Sequence, residues 1–431
     1  GGVRGTTEVV SPSSQQYPLY LWSIRDDMGI LLPRQDKQKR PSSTIHSPYG
    51  LLLSEFHTTG RSNRTMSLKF RCERDTLVEA LGAAGRAVTT RGGALPVLAG
   101  VRLELVGDRL TVTGSDLDLT ITVDVEVAGG EDGIAVLPSK LISDVVRSLR
   151  PGAVDVSIEE DDARVVQAPA EFSLRVIPAD EFPELSTADG DAVTLDAGAF
   201  RAAIDQVEKA ASSDDARPIL TGVLMAAEEQ GLRLVSTDSY RLSVRDLEGT
   251  SILGEGQKVL VPSRALKELS RVVGEAEEIT LRLGERDAGF EVGSVKITTR
   301  LIEGEFPNYR GLIPSNHPNT LSVNREALLD AVRRVRLLAQ ESTPVRLAMS
   351  SSGLELVAVT QDVGQAHESV EANYTGDDLT VAFNPEYLID GIEVAPGDEI
   401  TLETVDELKP ALLKSADDPA FLYLLMPVRV S

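Results

Sequence analysis

The sequence predicts an α+β protein made of three tandem copies of one domain, each with two helices packed on antiparallel sheets. Three observations predict it. First, Ala94–Asp116 (ALPVLAGVRLELVGDRLTVTGSD) returns as Ala216–Asp238 (ARPILTGVLMAAEEQGLRLVSTD) at a constant offset of 122 without a gap. Self-similarity at a domain-sized period means one fold copied. Second, Val136–Lys140 returns as Leu260–Arg264, and Glu181–Leu185 as Glu305–Tyr309, both at offset 124. Third, a weaker copy follows: a helix-like stretch from Asn324 to Ala339, then Leu354–Val357, then Val381–Pro385. Residues 66 to 431 number 366, three units of 122, and divide into domains at 66–189, 190–316 and 317–431.

Each unit opens with an amphipathic helix. Phe200, Ala203, Ile204, Val207 and Ala211 fall on one helical stripe, Leu328, Val332, Val335 and Ala339 repeat it, and Leu77, Leu81, Ala84 and Val88 give the first copy. A second helix follows a strand. Ser139 and Ser263 offer capping hydroxyls before the stripes that begin at Leu141 and Ala265, while Asn384-Pro385 offers an N-cap followed by Pro in the first turn. Elsewhere apolar residues alternate every second position, as in Leu110–Thr113, Leu119–Val123 and Val154–Ile158, which reads as about eight short strands per unit.

Residues 1–65 differ in kind. Ser11-Pro12-Ser13-Ser14, the basic run Lys37–Pro41 and the lack of apolar periodicity predict a disordered extension. Met66-Ser67-Leu68-Lys69-Phe70 resembles a natural start leading into a strand, so the extension reads as an upstream start-site artefact, and it has no h-region of a secretory signal. The extension carries eight Lys and Arg against five Asp and Glu, which leaves 35 against 62 in the body, a net charge of minus 27. A body this acidic does not hold nucleic acid by its general surface, because such affinity comes from cations that neutralise phosphates. One cysteine, Cys72, excludes a disulfide scaffold and points to the cytoplasm, and no apolar run reaches the roughly 18 residues of a membrane span.

Against that acidity, cations recur at matching helix positions. Lys140 and Arg147 return as Arg264 and Arg271, and Arg86 returns as Lys209 and Arg333. Cations kept in this way predict helices that face one anionic object. Signatures of catalysis are missing: there is no phosphate-binding glycine loop, HExxH, GxSxG or paired-cysteine spacing, and His46, His57, His317 and His367 are scattered. Asp116 and Asp238, which close the repeated Ser-Asp and Thr-Asp pairs, read as turn residues that accept backbone N–H bonds. The same pair underlies the alternative of a hydrolase with carboxylates shared between repeats. No metal or cofactor is predicted.

These repeats, together with Val235–Leu242 (VSTDSYRL), Glu305–Arg310 (EFPNYR), Phe383–Leu388 (FNPEYL) and Tyr423–Arg429 (YLLMPVR), resemble the β subunit of bacterial DNA polymerase III, the sliding clamp family, over essentially all of residues 66–431. The resemblance implies a non-catalytic processivity factor in which two chains join head to tail into a ring of six domains, with helices lining the hole and duplex DNA threaded through it. Lys140 and Arg91 match the family's DNA-contacting positions, and Arg147, Arg264 and Arg271 join them by repeat equivalence. The family's partners, the replicative polymerase, clamp loader and repair proteins, insert a short linear peptide into a cleft between the second and third domains. Carried over by position, its lining is Arg217, Leu220, Thr237, Ser239, Tyr240, Arg241, Leu242, Pro307, Leu312, Asn384, Tyr387, Leu424, Met426, Pro427, Val428 and Arg429. Met and Leu give such a site an adaptable floor, while Arg and Asn orient an incoming backbone. Ser239 and Tyr240 depart from the residues common in relatives, which predicts an altered peptide preference. Phe172 and Leu174, against Leu337 and Leu338, match the apolar pairs that close the homodimer. A ring or repeat scaffold that gathers proteins without encircling DNA is the alternative reading.

Overall fold

The computed structural model describes residues 67–88, 95–339 and 343–429. The expectations for the 1–65 extension and for Arg91 lie outside the described residues.

In the first domain the chain runs β1 Leu68–Glu73, α1 Arg74–Gly85, β2 Gly100–Val106, β3 Arg109–Ser115, β4 Leu119–Glu126 and β5 Ala128–Glu131. It continues through β6 Gly133–Pro138, α2 Ser139–Ser148, β7 Ala153–Glu159, β8 Asp162–Gln167 and β9 Ala170–Arg175. The second domain holds β10 Ala192–Asp196, α3 Ala197–Glu208, β11 Gly222–Glu228, β12 Gly231–Thr237 and β13 Arg241–Glu248. After these come β14 Lys258–Pro262, α4 Ser263–Val273, β15 Glu278–Leu283, β16 Asp287–Val292 and β17 Val295–Arg300. The third holds β18 Asn319–Asn324, α5 Arg325–Arg336, β19 Val345–Ser350, β20 Gly353–Thr360, β21 Gly364–Val370 and β22 Ala372–Thr375. It closes with β23 Leu379–Phe383, α6 Pro385–Val394, β24 Glu399–Thr404, β25 Ala411–Ser415 and β26 Phe421–Leu425. The predicted order of helices and strands thus recurs three times.

Local chemistry starts the helices. Asp196 caps α3 by accepting the Ala199 N–H at 2.6 Å, and Asn324 caps α5 by accepting the Ala327 N–H at 3.0 Å. Asn384 caps α6 with Pro385 in its first turn, as its sequence predicts. The capping hydroxyls expected of Ser139 and Ser263 are not realised. Pro138 and Pro262 are the last extended residues, so the caps fall on prolines and the serines enter the helices. The helix stripes face inward: Leu77, Leu81 and Ala84, then Phe200, Ile204 and Val207, then Leu328, Val332 and Val335 are all buried.

Each domain contributes two antiparallel half-sheets, and the junctions between domains are made by sheet continuation. β17 of the second domain pairs with β4 of the first, giving one sheet in the order β10-β15-β16-β17-β4-β3-β2-β6. β26 of the third pairs with β13 of the second, giving β14-β11-β12-β13-β26-β25-β24-β18-β22. Two half-sheets are left over: β5-β1-β7-β8-β9 in the first domain, ending on β9, and β21-β20-β19-β23 in the third, ending on β21. By repeat position β9 corresponds to β17 and β26, and β21 to β4 and β13. The two unextended edges are therefore the types already paired inside the chain.

The turn that precedes β4, β13 and β21 is conformationally alike in all three domains. Leu117, Ser239 and Asp362 sit there at φ of 78°, 83° and 64°, the left-handed region that side chains enter only at a cost. Asp116 accepts the Asp118 and Leu119 N–H groups at 3.2 and 2.8 Å, and Asp238 accepts those of Tyr240 and Arg241 at 2.8 and 3.0 Å. The turn reading of these carboxylates holds, and they are engaged in backbone bonds.

His317 lies between the second and third domains with its side chain 8% exposed, its Nδ1 3.3 Å from Glu403 and its Nε2 buried without a partner among the described residues. Burial holds its pKa below the ordinary 6.5, outweighing the nearby Glu403 carboxylate. An unfolded chain takes up that proton near pH 6.5 while the folded one resists it, so stability falls as pH drops below about 6.5. His317→Gln should flatten this dependence in denaturant titrations between about pH 7.5 and 5.5; an unchanged slope would assign it to other groups.

Candidate functional site

The cleft between the second and third domains is organised around Arg241. Its side chain is 10% exposed, donates from Nε to Asp238 at 3.0 Å and from Nη1 to Tyr423 Oη at 3.3 Å, and forms an ion pair with Asp390. Tyr423 Oη in turn donates to the Tyr387 carbonyl at 3.0 Å. The guanidinium lies 4.4 Å from the centre of the Tyr387 ring, and Tyr387 stacks on Tyr240 at 6.4 Å with 23° between planes. Burial pushes the Tyr387 phenol above its ordinary range, and Tyr423 still more. The outer layer of this stack, Tyr240, is 48% exposed.

Leu242 and Leu424 are fully buried beside it in a cluster with Leu224, Val235, Leu260 and Tyr309, against which Leu312 and Met426 pack. Leu220 and Thr237 are buried as well. Pro307, Asn384, Met426 and Pro427 are half-buried, and Arg217, Val428 and Arg429 are exposed. Arg217 donates to Ser239 Oγ at 3.2 Å, which fixes one rim. The structure thus brings Leu242, Leu424, Leu312 and Met426 together in one cluster beside the stack of Tyr240, Tyr387 and Arg241. Asn384 spends its side-chain oxygen on the α6 cap, accepting the Glu386 N–H at 2.9 Å, so it is not available in that role to an incoming backbone.

The predicted cations divide into two groups. Lys140 and Arg147 are exposed on α2, where Lys140 has no ion pair among the described residues and Arg147 only a loose one to Asp144 at 3.8 Å. The others are engaged in ion pairs, Arg86, Lys209 and Arg264 across domain junctions and Arg271 and Arg333 within their own domains, and Arg264, Arg271 and Arg333 remain exposed. Arg86, at the end of α1, pairs with Glu268 of α4, whose side chain is 8% exposed and also receives Arg271. Arg264 pairs with Asp116 and donates to the Arg86 carbonyl at 3.0 Å. Lys209, at the end of α3, pairs with Glu393 at 2.6 Å and Asp390 at 3.7 Å, and Arg333 reaches the same Glu393 at 2.6 Å. The Lys209 hydrogen bond holds the Glu393 carboxyl below the usual range. The attraction between opposite charges strengthens where a junction excludes water.

Helix register corrects one equivalence. The first helices begin at Arg74, Ala197 and Arg325 and each span twelve residues, so the residue after the last turn is Arg86, Lys209 and Leu337. Leu337, not Arg333, holds the third place of the series, and it is 82% exposed. Leu338 is half-buried, its carbonyl accepting from Thr360 Oγ1 at 2.5 Å beside the β21 edge. On β9 Phe172 is half-buried, whereas Leu174 is buried in the domain's own core.

The chain matches the DNA polymerase III beta subunit over all three domains of that family: the N-terminal domain at residues 68–186, the central domain at 194–308 and the C-terminal domain at 310–429. It belongs to this family. The beta sliding clamp of Streptomyces coelicolor is 35% identical over 379 residues, covering 84% of this chain and 100% of that relative. That of Staphylococcus aureus is 30% identical over 376 residues, covering 84% and 99%. Among solved structures, the sliding clamp of Bacillus subtilis superposes with a TM-score of 0.77 at 28% identity, covering 84% of this chain and 100% of that one. The Bartonella birtlesii sliding clamp bound to griselimycin gives 0.78 at 30%, with the same coverage.

Within this family member, sequence reasoning missed a recurring carboxylate of the second helix, which in the third domain is the Asp390 that pairs with Arg241. Asp144, Glu268 and Asp390 each stand six residues after a second-helix cap, at Pro138, Pro262 and Asn384. That recurrence is visible in the sequence once the caps are known, and two of its members are acceptors, Glu268 for Arg86 and Asp390 for Lys209 and Arg241.

Proposed function

We propose that this chain acts as a sliding clamp: a non-catalytic, cytoplasmic homodimer that encircles duplex DNA and tethers the replicative polymerase, clamp loader and repair proteins through short linear peptides. The observation that carries the reading is the pair of leftover sheet edges. β9 and β21 are of the types that already pair as β17 with β4 and as β26 with β13. Two chains placed head to tail repeat that pairing twice and close on themselves, as rotational symmetry requires of a finite heterologous assembly. Phe172 with Leu337 and Leu338 supplies the apolar contact at that seam. A closed ring holds DNA by topology, which suits a body of net charge minus 27 with a few exposed cations. Lys140 and Arg147 are the residues proposed to face the phosphates, with Arg91 beside them by its place in the family.

For the cleft, Tyr240, Tyr387, Met426 and Val428 offer an apolar surface edged by Arg217 and Arg429, which suits an extended segment with apolar anchors and an acidic or polar flank. Removal of residues 426–431 should abolish binding of such a peptide and leave the dimer intact.

The test of the whole reading is topological. Loaded onto nicked circular DNA, the protein should be retained, and cutting the circle should release it. Retention that survives linearisation would favour ordinary surface binding, and no retention at all would favour a protein scaffold. Lys140→Glu with Arg147→Glu should shorten residence on the circle several-fold at low salt while leaving the melting profile unchanged. A double variant that behaves as wild type would remove these cations from the DNA face.

A further inference from the structure

The junction between the first and second domains rebuilds the backbone frame of the peptide cleft with different side chains. In the cleft, the Met426 N–H donates to the Tyr240 carbonyl at 2.9 Å and the Val428 N–H to the Ala382 carbonyl at 2.7 Å. At the other junction the Arg300 N–H donates to the Asp118 carbonyl at 2.9 Å and the Ile302 N–H to the Leu260 carbonyl at 2.9 Å. Strand register agrees, since Leu119 pairs with Thr299 as Arg241 pairs with Leu425. The left-handed turns at Leu117 and Ser239 agree too. A frame reproduced bond for bond presents the same groove between the same elements.

Most of the charge changes on that frame are toward acid. Arg217 and Ser239, which hydrogen-bond to each other on the cleft rim, correspond to Leu95 and Leu117. Both leucines stand out from the surface, 41% and 36% exposed. A bulky side chain held in a left-handed turn with more than a third of its surface in water is incompletely packed by its own domain, and such outliers collect at binding surfaces. Tyr240 corresponds to Asp118, Asn308 to Glu184 and Arg429 to Glu303, and all three acids are exposed. Two cations are gained, Arg300, 3.9 Å from Asp118 in a loose surface pair, and Arg264, which takes the place of Glu386 and pairs with Asp116, so the acids still outnumber them.

We propose that this groove is a second docking site, taking an extended peptide with an aliphatic or aromatic anchor flanked by Lys or Arg. The occupant follows from charge. The cleft edged by Arg217 and Arg429 disfavours cationic flanks, whereas a rim of Asp118, Glu184 and Glu303 around two exposed leucines favours them. The choice of a linear peptide rests on the reading of the cleft as a peptide site; the shared frame and the reversed charge do not.

The probes are a fluorescein-labelled peptide with a leucine pair flanked by Lys and Arg, and its twin flanked by Glu, titrated against the full chain by fluorescence anisotropy. The basic peptide should bind at least ten-fold tighter than its twin to a chain lacking residues 426–431, in which the cleft is disabled. Leu117→Asp should weaken that binding ten-fold or more, and Asp118→Lys with Glu303→Lys should reverse the preference between the twins. Leu117→Gly relieves the left-handed strain while removing the anchor contact, so it gives the same readout should Leu117→Asp fail to fold. Loss of basic-peptide binding on removal of 426–431 would place that peptide in the cleft and overturn the proposal while sparing the cleft reading. Binding indifferent to both Leu117 variants, or no binding of the basic peptide, overturns it as well. Failure of the cleft reading shows separately, as binding of a cleft ligand that the truncation does not alter.

Discussion

Leu337→Asp should yield a folded chain that is monomeric. Leu337 follows the last turn of α5 and is 82% exposed, so its replacement disturbs no packing within the chain. At the proposed seam it is the apolar residue that a second copy covers. Burying one leucine stabilises by about 1.5–3 kcal/mol, and a two-seam ring loses it twice, so the dimer dissociation constant should rise by roughly two to four decades. Forcing a carboxylate into that contact adds to the loss. Sedimentation over a concentration series reads the result, and a variant still dimeric at nanomolar concentration would remove Leu337 from the seam.

At the proposed seam the same residue sets the end of α5 apart from the two internal junctions. At both internal junctions a cation at this position reaches a carboxylate of the next domain, Arg86 to Glu268 and Lys209 to Asp390 and Glu393. At the end of α5 the cation is replaced by leucine, while the exposed Asp144 on α2 holds the acid's place at the far end of the chain. Leu337→Arg should therefore recover part of the affinity lost in Leu337→Asp, by an ion pair against Asp144 of a second copy.

Arg241→Ala should destabilise the second and third domains by about 3–5 kcal/mol, because it strips the shared cation from Asp238 and Asp390 and leaves two carboxylates, one of them 11% exposed, facing each other. Arg241→Lys should recover only part of the loss. A single ammonium cannot reproduce the planar fork that reaches Asp238, Asp390 and Tyr423 at once while lying over the Tyr387 ring. The denaturant midpoint of the transition that includes these domains measures both variants, and an alanine variant that unfolds with wild type would show that the network contributes no net stability. Peptide affinity should fall along with stability, since Arg241 fixes Tyr387 and, through it, Tyr240.

Much of the fold was legible because its signals are local. The 122-residue period, the inward stripes of α1, α3 and α5, the alternation in β3, β4 and β7 and the Asn384-Pro385 cap each need only a few neighbours to act, and each forms as its sequence predicts. The serine caps failed because Pro138 and Pro262 already hold the extended conformation from which a helix departs, one residue earlier. The cleft was legible through motifs that resemble a family, not through periodicity. That Leu174 packs into its own domain's core was not legible, because a strand's alternation fixes two faces and leaves open which of them that core covers.

The sequence by itself determined the repeat, the helices and strands within it, the turns at Asp116 and Asp238 and the excess of acid over base. Only the tertiary structure decided which cations stay exposed. Arg86 and Glu268 are 182 residues apart, and Arg241 and Asp390 are 149 apart, and charge carries no periodicity that would announce such a partner. The sheet pairings β17 with β4 and β26 with β13 bring those groups together, because strand register fixes position across domains to within a hydrogen bond while a lone charge in a sequence only records that some partner, or water, must be found.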